Sequence, residues 1–494
     1  MKAKPLHRHI TKVLSPSKDV LLDNPYTGEI LARIPYLSRN EALHKIDKAI
    51  KAQRDWKRVS LQKRQYLCLE WIKTLDKNKD KIASEITQQM GKPIQQSYNE
   101  ICGVMKRTKM MVYLSDQALG TDTFPEESGI FRRITHDPIG VVYVIAPWNY
   151  PLLTVTNSII PAILAGMWTS AMENMYKMRC TITGNTIILK HSPRTPLCGD
   201  QFVWTLEEAG FPNHIIQHAF TDHDVAADII IHPEIASVIF TGSVEGGHAV
   251  QKLNPGKFMD MTLELGGNDA GYVASDADVI RAVESLTDGV CYNAGQSCCG
   301  IERIYVHSNH YQRFLEEAKG SFENYNLDDP LYTSCTLGPM SLATAPQSLQ
   351  EKVEDALTKG AALISGGGPK TDLKGKGRFF SPTCLASCNN TMKIMCEESF
   401  GPIVGVEEVF SDEEAIQKIN DSKYGLTSSI FTASKERALK FGEDLSCGTV
   451  YMNRCDTVDP LLPWSGQKDS GKGISLSKYG FTRFTRLKAW NFSL

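Results

Sequence analysis

The stretch Ile139-Gly140-Val141-Val142-Tyr143-Val144-Ile145-Ala146-Pro147-Trp148-Asn149-Tyr150-Pro151 decides the fold. Val141 to Ile145 is a continuous apolar run, the pattern of a strand buried on both faces of a parallel sheet. A helix-like stretch, Leu152 to Ala165, follows it. A second apolar run, Thr186 to Leu189, ends in Lys190. Helical segments at Gln201 to Ala209 and Asp224 to Ile230 then alternate with strand-like Ile215 to Phe220 and Val238 to Phe240. This order predicts an α/β chain with a doubly wound parallel sheet, which binds ligands at the strand C-terminal ends. The Gly-x-Gly-x-x-Gly dinucleotide fingerprint is absent.

Further out, Asn24-Pro25-Tyr26-Thr27-Gly28-Glu29 reads as a turn between two short strands. Residues 40–120 have a helical period, with Ala42, Ile46, Ala49 and Ile50 on one face and Leu67, Trp71 and Leu75 on the next helix. A second alternating segment runs from Glu264 to about Val450. The run from Lys478 to Phe492 alternates like an edge strand seeking a partner. With 494 residues, two or three domains are expected. A hydrophobic content of 42% with a net charge of -2 gives no case for nucleic acid or a membrane surface. The 13 cysteines lack paired Cys-x-x-Cys spacing and the 12 histidines lack ligand spacing, which argues for a reducing compartment and no metal. The basic residues before Asp19 are read as a plain tail on a cytoplasmic protein, with a mitochondrial address as the alternative.

One passage breaks the rhythm. Ala165-Gly166 should lead directly into Asn185-Thr186, because helix-to-strand loops are short. Instead 18 residues intervene, Met167 to Gly184, rich in methionine. Gly-Met-Trp can be encoded GGT-ATG-TGG, which contains GTATGT, and Thr-Gly can be encoded to end in ACA-G. Such codons would match the boundaries of a short in-frame intron. The segment is therefore read as a retained intron in a gene model, against the alternative of a real surface insertion at the N-terminal end of a strand.

Three residues carry candidate chemistry. Cys298 follows Gly295-Gln296-Ser297 at the end of a polar loop, where a thiolate is an approachable nucleophile. Alone it reads as a structural cysteine. Cys299 is expected to point the other way. Glu264, in Leu263-Glu264-Leu265-Gly266-Gly267-Asn268, is a carboxylate in an apolar, Gly-rich turn, where a raised pKa suits a general base. Asn149 at a strand end offers an amide to a developing oxyanion, although Asn beside Pro is more often a turn residue. Phe240-Thr241-Gly242-Ser243-Val244-Glu245-Gly246-Gly247 is a strand, a small-residue loop and a helix start, which presents backbone N–H groups to a pyrophosphate.

These stretches, in this order, resemble the aldehyde dehydrogenase superfamily over about Pro25 to Trp490. The carriers are Pro147-Trp148-Asn149-Tyr150-Pro151, Glu264-Leu265-Gly266-Gly267, Gly295-Gln296-Ser297-Cys298 and Glu397-Glu398-Ser399-Phe400-Gly401-Pro402. The resemblance implies oxidation of an aldehyde to its acid through a thioester on Cys298. It makes Asn149 an oxyanion donor and Glu264 the base for the deacylating water. It implies NAD binding by Lys190, Gly242, Ser243, Gly247, Trp148, Glu398, Phe400 and Leu265. A usual Glu is replaced by Pro193 and Arg194 adds charge nearby, so NADP is also admitted. Tyr150, Trp148, Tyr292 and Trp464 flank the motifs and suggest an aromatic tunnel for apolar or aromatic aldehydes. Asn268 replaces a common lysine, with little consequence expected.

The implied fold has a cofactor domain (1–116 and 139–263), a catalytic domain (264–450), a return segment (451–479) and oligomerisation strands (117–138 and 480–494). A homodimer or homotetramer is implied. Two alternatives stay open: a catalytically retired binding protein on the same fold, and a CoA- or phosphate-dependent semialdehyde enzyme, which Glu264 disfavours.

Overall fold

The computed structural model describes residues 19–56, 58–166, 184–254 and 256–493. The unusual segment therefore lies outside the described residues, apart from Gly184.

Six strands form the first sheet, in the spatial order Gly471–Lys472, Asp260–Glu264, Ile235–Thr241, Val141–Ile145, Thr186–Lys190, Ile216–His218. All neighbours run parallel except Gly471–Lys472. Valine, isoleucine and leucine make these strands because both faces are covered and β-branched side chains pack well on a pleated surface. The chain winds outward from Val141–Ile145 to one side and then to the other. The order reverses between Val141–Ile145 and Ile235–Thr241, and the crevice at that point is where such sheets bind ligands. The expected strands and helices are all present, with boundaries shifted by a few residues; the helix expected from Gln201 spans Pro196–Glu208, with Pro at its start.

A seven-stranded sheet holds Ala362–Ser365, Thr383–Ala386, Ile403–Val409, Ile301–His307, Asp269–Val273, Thr427–Phe431 and Thr449–Met452 in that order. Its core includes Tyr272, stacked on Phe441 at 5.2 Å. The third sheet pairs Thr485–Ser493 with Ile130–Pro138 in an antiparallel ladder, with Asp122–Thr123 on the far side. Thr485–Ser493 is thus an edge strand, and Leu487 and Phe492 are exposed on it. The turn at Asn24 to Glu29 does join two antiparallel strands, Val20–Asp23 and Ile30–Ile34.

Of the four helices Arg39–Trp56, Leu61–Lys77, Lys79–Met90 and Ile94–Leu119, the first packs on the first sheet and the second on Ile94–Leu119 and Pro196–Glu208, each through its predicted apolar stripe. The corner between the first two holds both flanks of the unusual segment. Arg64 Nη1 donates to the carbonyl of Ala165 at 2.9 Å, and Gln53 Nε2 donates to that of Gly184 at 3.3 Å. Trp56 and Arg64 both lie against Gly184. Asn185 then ties the strand start to Ala162, Gly140 and Phe484. The segment enters at the N-terminal end of Thr186–Lys190, and Lys190 is at the other end. Among the described residues no helix is long and apolar enough to cross a membrane.

Candidate active site

Cys298 sits in the connection between the helix Val279–Cys291 and the strand Ile301–His307. The loop before it is built from left-handed backbone. Asn293, Ala294 and Gly295 have φ of 54°, 53° and 68°. Ala294 in that region is strained, so neighbours must hold it. Asn293 does much of this: its amide donates to the carbonyls of Asn149 (3.1 Å) and Gln296 (3.0 Å), and its N–H donates to Gln96. A side chain at Gly295 would strike the backbone of Gly401. One asparagine thus ties the Cys298 loop to the Asn149 loop. Asn149 itself is buried at the end of Val141–Ile145, and no hydrogen bond is described for its side-chain amide.

Cys298 and Glu264 border one cavity of about 320 Å³. Glu264 ends the strand Asp260–Glu264, opposite Thr241 of the neighbouring strand. Burial raises its pKa, and the cations Arg483 and Arg107 oppose the rise. Cys299 does not turn away from the cavity as expected. It borders the same space, held there by Asp456, whose Oδ1 accepts from Cys299 Sγ at 2.9 Å and from Ser297 Oγ at 3.2 Å. Burial pushes the Asp456 carboxyl up to about 7, with those two donors pulling back.

Tyr150, Tyr292 and Trp464 do border the cavity. Trp148 does not belong to that group: its ring meets Phe400 edge-on at 5.3 Å. The lining is also more polar than an aromatic tunnel, because it includes Glu100, Arg107 and Asn157. Lys92 neutralises Glu100 in a buried pair at 2.5 Å and lies over the Tyr150 ring at 4.1 Å. The other Glu100 oxygen caps the backbone N–H groups of Leu152 and Leu153.

On the cofactor side, Lys190 is nearly buried and no hydrogen bond is described for its ammonium. Burial pushes its pKa down to about 8, with Asp222 opposing. Ser243 caps the helix Val244–Gln251, accepting from Gly246 N–H at 3.1 Å. The glycines there serve packing: a Cβ at Gly247 would strike Leu265, and one at Gly242 would strike Phe240. Leu265 therefore separates that helix from the cavity it also borders. Glu398 Oε1 accepts from Gly267 N–H at 3.0 Å, and burial pushes its carboxyl up to about 8.

Two expectations need correction. Arg194 adds no free charge near Lys190, since its guanidinium binds the Asp23 carboxylate and the carbonyls of Asp23 and Gln89. Asn268 does have a consequence. Its amide donates to buried Glu302 at 2.9 Å, where a lysine would have brought charge. Burial raises the pKa of Glu302, Glu398 and Asp269, and the Asn268 amide opposes the rise at Glu302.

Sequence reasoning missed Arg107, Arg483, Asp456 and Asn157. Arg107 left a trace, since it falls on the buried stripe of Ile94–Leu119 with Ile101, Val104 and Met111. The helix Leu153–Leu164 turns Asn157 toward both arginines: its side-chain oxygen accepts from Arg107 Nη1 at 2.9 Å and its carbonyl from Arg483 Nη2 at 3.1 Å.

The profile of the Aldehyde dehydrogenase family matches residues 13–169 and 172–490. A 3-sulfolactaldehyde dehydrogenase of Pseudomonas putida is 31% identical over 467 residues, 94% of this chain and 92% of the relative. A succinate-semialdehyde dehydrogenase [NADP(+)] of Deinococcus radiodurans is 30% identical over 476 residues, 96% of this chain and 94% of the relative. The NAD+ complex structure of an aldehyde dehydrogenase from Bacillus cereus superposes with a TM-score of 0.89 at 26% identity, covering 97% of this chain and 94% of that one. The match thus runs along nearly the whole chain, through the stretches that hold Cys298 and Glu264. The chain belongs to the aldehyde dehydrogenase family, enzymes that oxidise aldehydes with a nicotinamide cofactor.

Proposed function

We propose that this enzyme converts an aldehyde to its carboxylic acid with NAD(P)+ through a thioester on Cys298, hydrolysed with Glu264 as general base. The observation that supports this most directly is that Cys298 and Glu264 border the same cavity at the sheet's switch point. The Cys298 thiolate adds to the carbonyl carbon. The Asn149 amide and the Cys298 N–H receive the negative charge that develops on oxygen, where one donor typically contributes about 3–4 kcal/mol. When bound, the nicotinamide supplies the two-electron oxidant by accepting the hydride. Glu264 then takes a proton from water, whose oxygen attacks the thioester and releases the acid and the Cys298 thiolate.

The cofactor-side residues suit such a group. A buried ammonium without a described protein partner, Lys190, stands ready for ribose hydroxyls. A capped helix N-terminus at Ser243 offers N–H groups to a pyrophosphate. Glu398 and the Trp148–Phe400 pair would hold the nicotinamide end. Relatives and structural neighbours are named with NADP+ as well as NAD+, and both cofactors are admitted here.

The test is NADH and NADPH formation across aliphatic, aromatic and charged aldehydes, without CoA or phosphate. Turnover that a Cys298→Ser variant loses, with aldehyde protecting one thiol from alkylation, supports the reading. Absence of turnover for every aldehyde and both cofactors would leave a retired binding protein. Strict dependence on CoA or phosphate would point to an acylating enzyme.

A further inference from the structure

The cavity beside Cys298 contains a cation that the reaction above does not use. Arg107 is 9% exposed, projects from the helix Ile94–Leu119, and borders the cavity with Cys298 and Glu264. One nitrogen fixes it: Nη1 donates to Asn157 Oδ1 at 2.9 Å and to the Leu153 carbonyl at 3.3 Å. Nε and Nη2 have no partner among the described residues, and neither is among the sealed-off polar atoms, so they reach the cavity surface. Arg107 thus shares one cavity wall system with Glu100, Glu264, Cys298 and Cys299.

The acids around it do not neutralise it. Glu100 is matched by Lys92 and two backbone N–H groups. Asp456 is occupied by Ser297 and Cys299. Glu264 faces Arg483. Asp288 and Lys106 are exposed at the rim, with opposite charges. A desolvated guanidinium held by one nitrogen, with donors left over, is built to receive a planar or tetrahedral oxyanion.

We propose that Arg107 anchors an oxyanion, a carboxylate or a sulfonate, that the aldehyde substrate carries a few carbons from its carbonyl. This rests on the aldehyde-oxidising reading and names its substrate class. It also departs from the apolar or aromatic aldehydes that Tyr150, Tyr292 and Trp464 suggested. Those rings form the walls, and Arg107 sets the far end. A cavity of about 320 Å³ suits a short chain.

The test compares kcat/KM for succinic semialdehyde, sulfopropanal, pentanal and the methyl ester of succinic semialdehyde, in the intact enzyme and in Arg107→Met and Arg107→Lys variants. The readout is the ratio of charged to uncharged substrate within each protein, which a general folding defect leaves unmoved. The intact enzyme is expected to favour a charged aldehyde. Arg107→Met is expected to lower that ratio by about 10- to 100-fold, as loss of a hydrogen bond to a charged group does, and Arg107→Lys to restore part of it. The larger of the two charged rates names the headgroup. Equal or better use of pentanal by the intact enzyme overturns the proposal while leaving the reaction intact. So does a ratio that survives Arg107→Met. Failure to oxidise any of the four overturns this proposal, and the reaction reading falls with it only when aromatic aldehydes are refused as well.

Discussion

Arg483 Nη1 lies 3.7 Å from Glu264 Oε1, and both atoms are buried without a hydrogen-bond partner. The pair is close enough for strong Coulomb attraction at low dielectric, yet neither group is locked to the other. Arg483 is instead fixed by Nη2, on the Asn157 carbonyl and Ser158 Oγ. Burial raises the Glu264 pKa, the charge of Arg483 opposes the rise, and Glu264 Oε1 is left without a donor.

Replacing Arg483 by Met should therefore shift the acid limb of thioester hydrolysis. Burial raises the Glu264 pKa and Arg483 opposes the rise, so losing the cation raises it further. The base works ionised, so the rate at neutral pH should fall by at least ~10-fold and recover as pH rises. Lys at this position should keep part of the effect. A pH profile of single-turnover hydrolysis that only drops in height would assign Arg483 a purely architectural role.

Arg194 should behave as a clamp rather than a cofactor selector. It joins Asp23 to Gln89, and Arg378 holds the same Asp23. Arg194→Ala should cost roughly 3 kcal/mol of stability, as a broken half-buried pair does. The ratio of KM for NADP to KM for NAD should stay within about threefold, since less than ~0.7 kcal/mol is then at stake. A large loss of NADP affinity alone would return Arg194 to the cofactor site.

Asp456 makes a prediction about stability and pH. Its folded pKa is about 7, raised by burial from the ordinary carboxylate range near 4. The folded state then binds the proton more tightly than the unfolded one. This contribution is fully present below about pH 4 and is lost as pH rises through about 7. Glu398 and Asp269, each near 8, act in the same direction. Melting temperatures of Asp456→Asn should decline less steeply between those limits than those of the intact chain. An unchanged slope would mean that Asp456 ionises freely in the fold.

The deletion of residues 167–184 should be tolerated. Arg64 contacts both Ala165 and Gly184, so the ends already meet, and joining Gly166 to Asn185 closes a short helix-to-strand loop. Solubility and kcat/KM within about threefold of the full chain are expected, because loop length affects stability only weakly. Collapse of expression in the deleted form would establish the segment as part of the folded protein.

Local signals read well where chemistry and neighbours share one stretch. Val141–Ile145 is apolar because both faces are covered, and Cys298 in its loop and Glu264 at its strand end stand beside glycines that announce close packing. Asn157, Asp456 and Arg483 gave no such signal and Arg107 only the trace of its buried stripe, because each meets the site through tertiary folding. Arg194 misled for the opposite reason. Its neighbours in sequence point to the cofactor, while its guanidinium reaches back to Asp23. Cys299 shows the same limit at the scale of one residue, since the side it faces was decided by a carboxylate more than a hundred and fifty positions away.

In chain order the site residues run Arg107, Asn149, Glu264, Cys298, Asp456 and finally Arg483. During synthesis on a ribosome, Glu264 and Cys298 emerge well before Asp456 and Trp464, which border their cavity, and before Arg483, which faces Glu264. Arg483 enters just ahead of Thr485–Ser493, and that strand pairs with Ile130–Pro138, made far earlier. A nascent chain thus carries the Cys298 thiol in a half-built pocket, and Glu264 meets its facing cation as the last ladder closes.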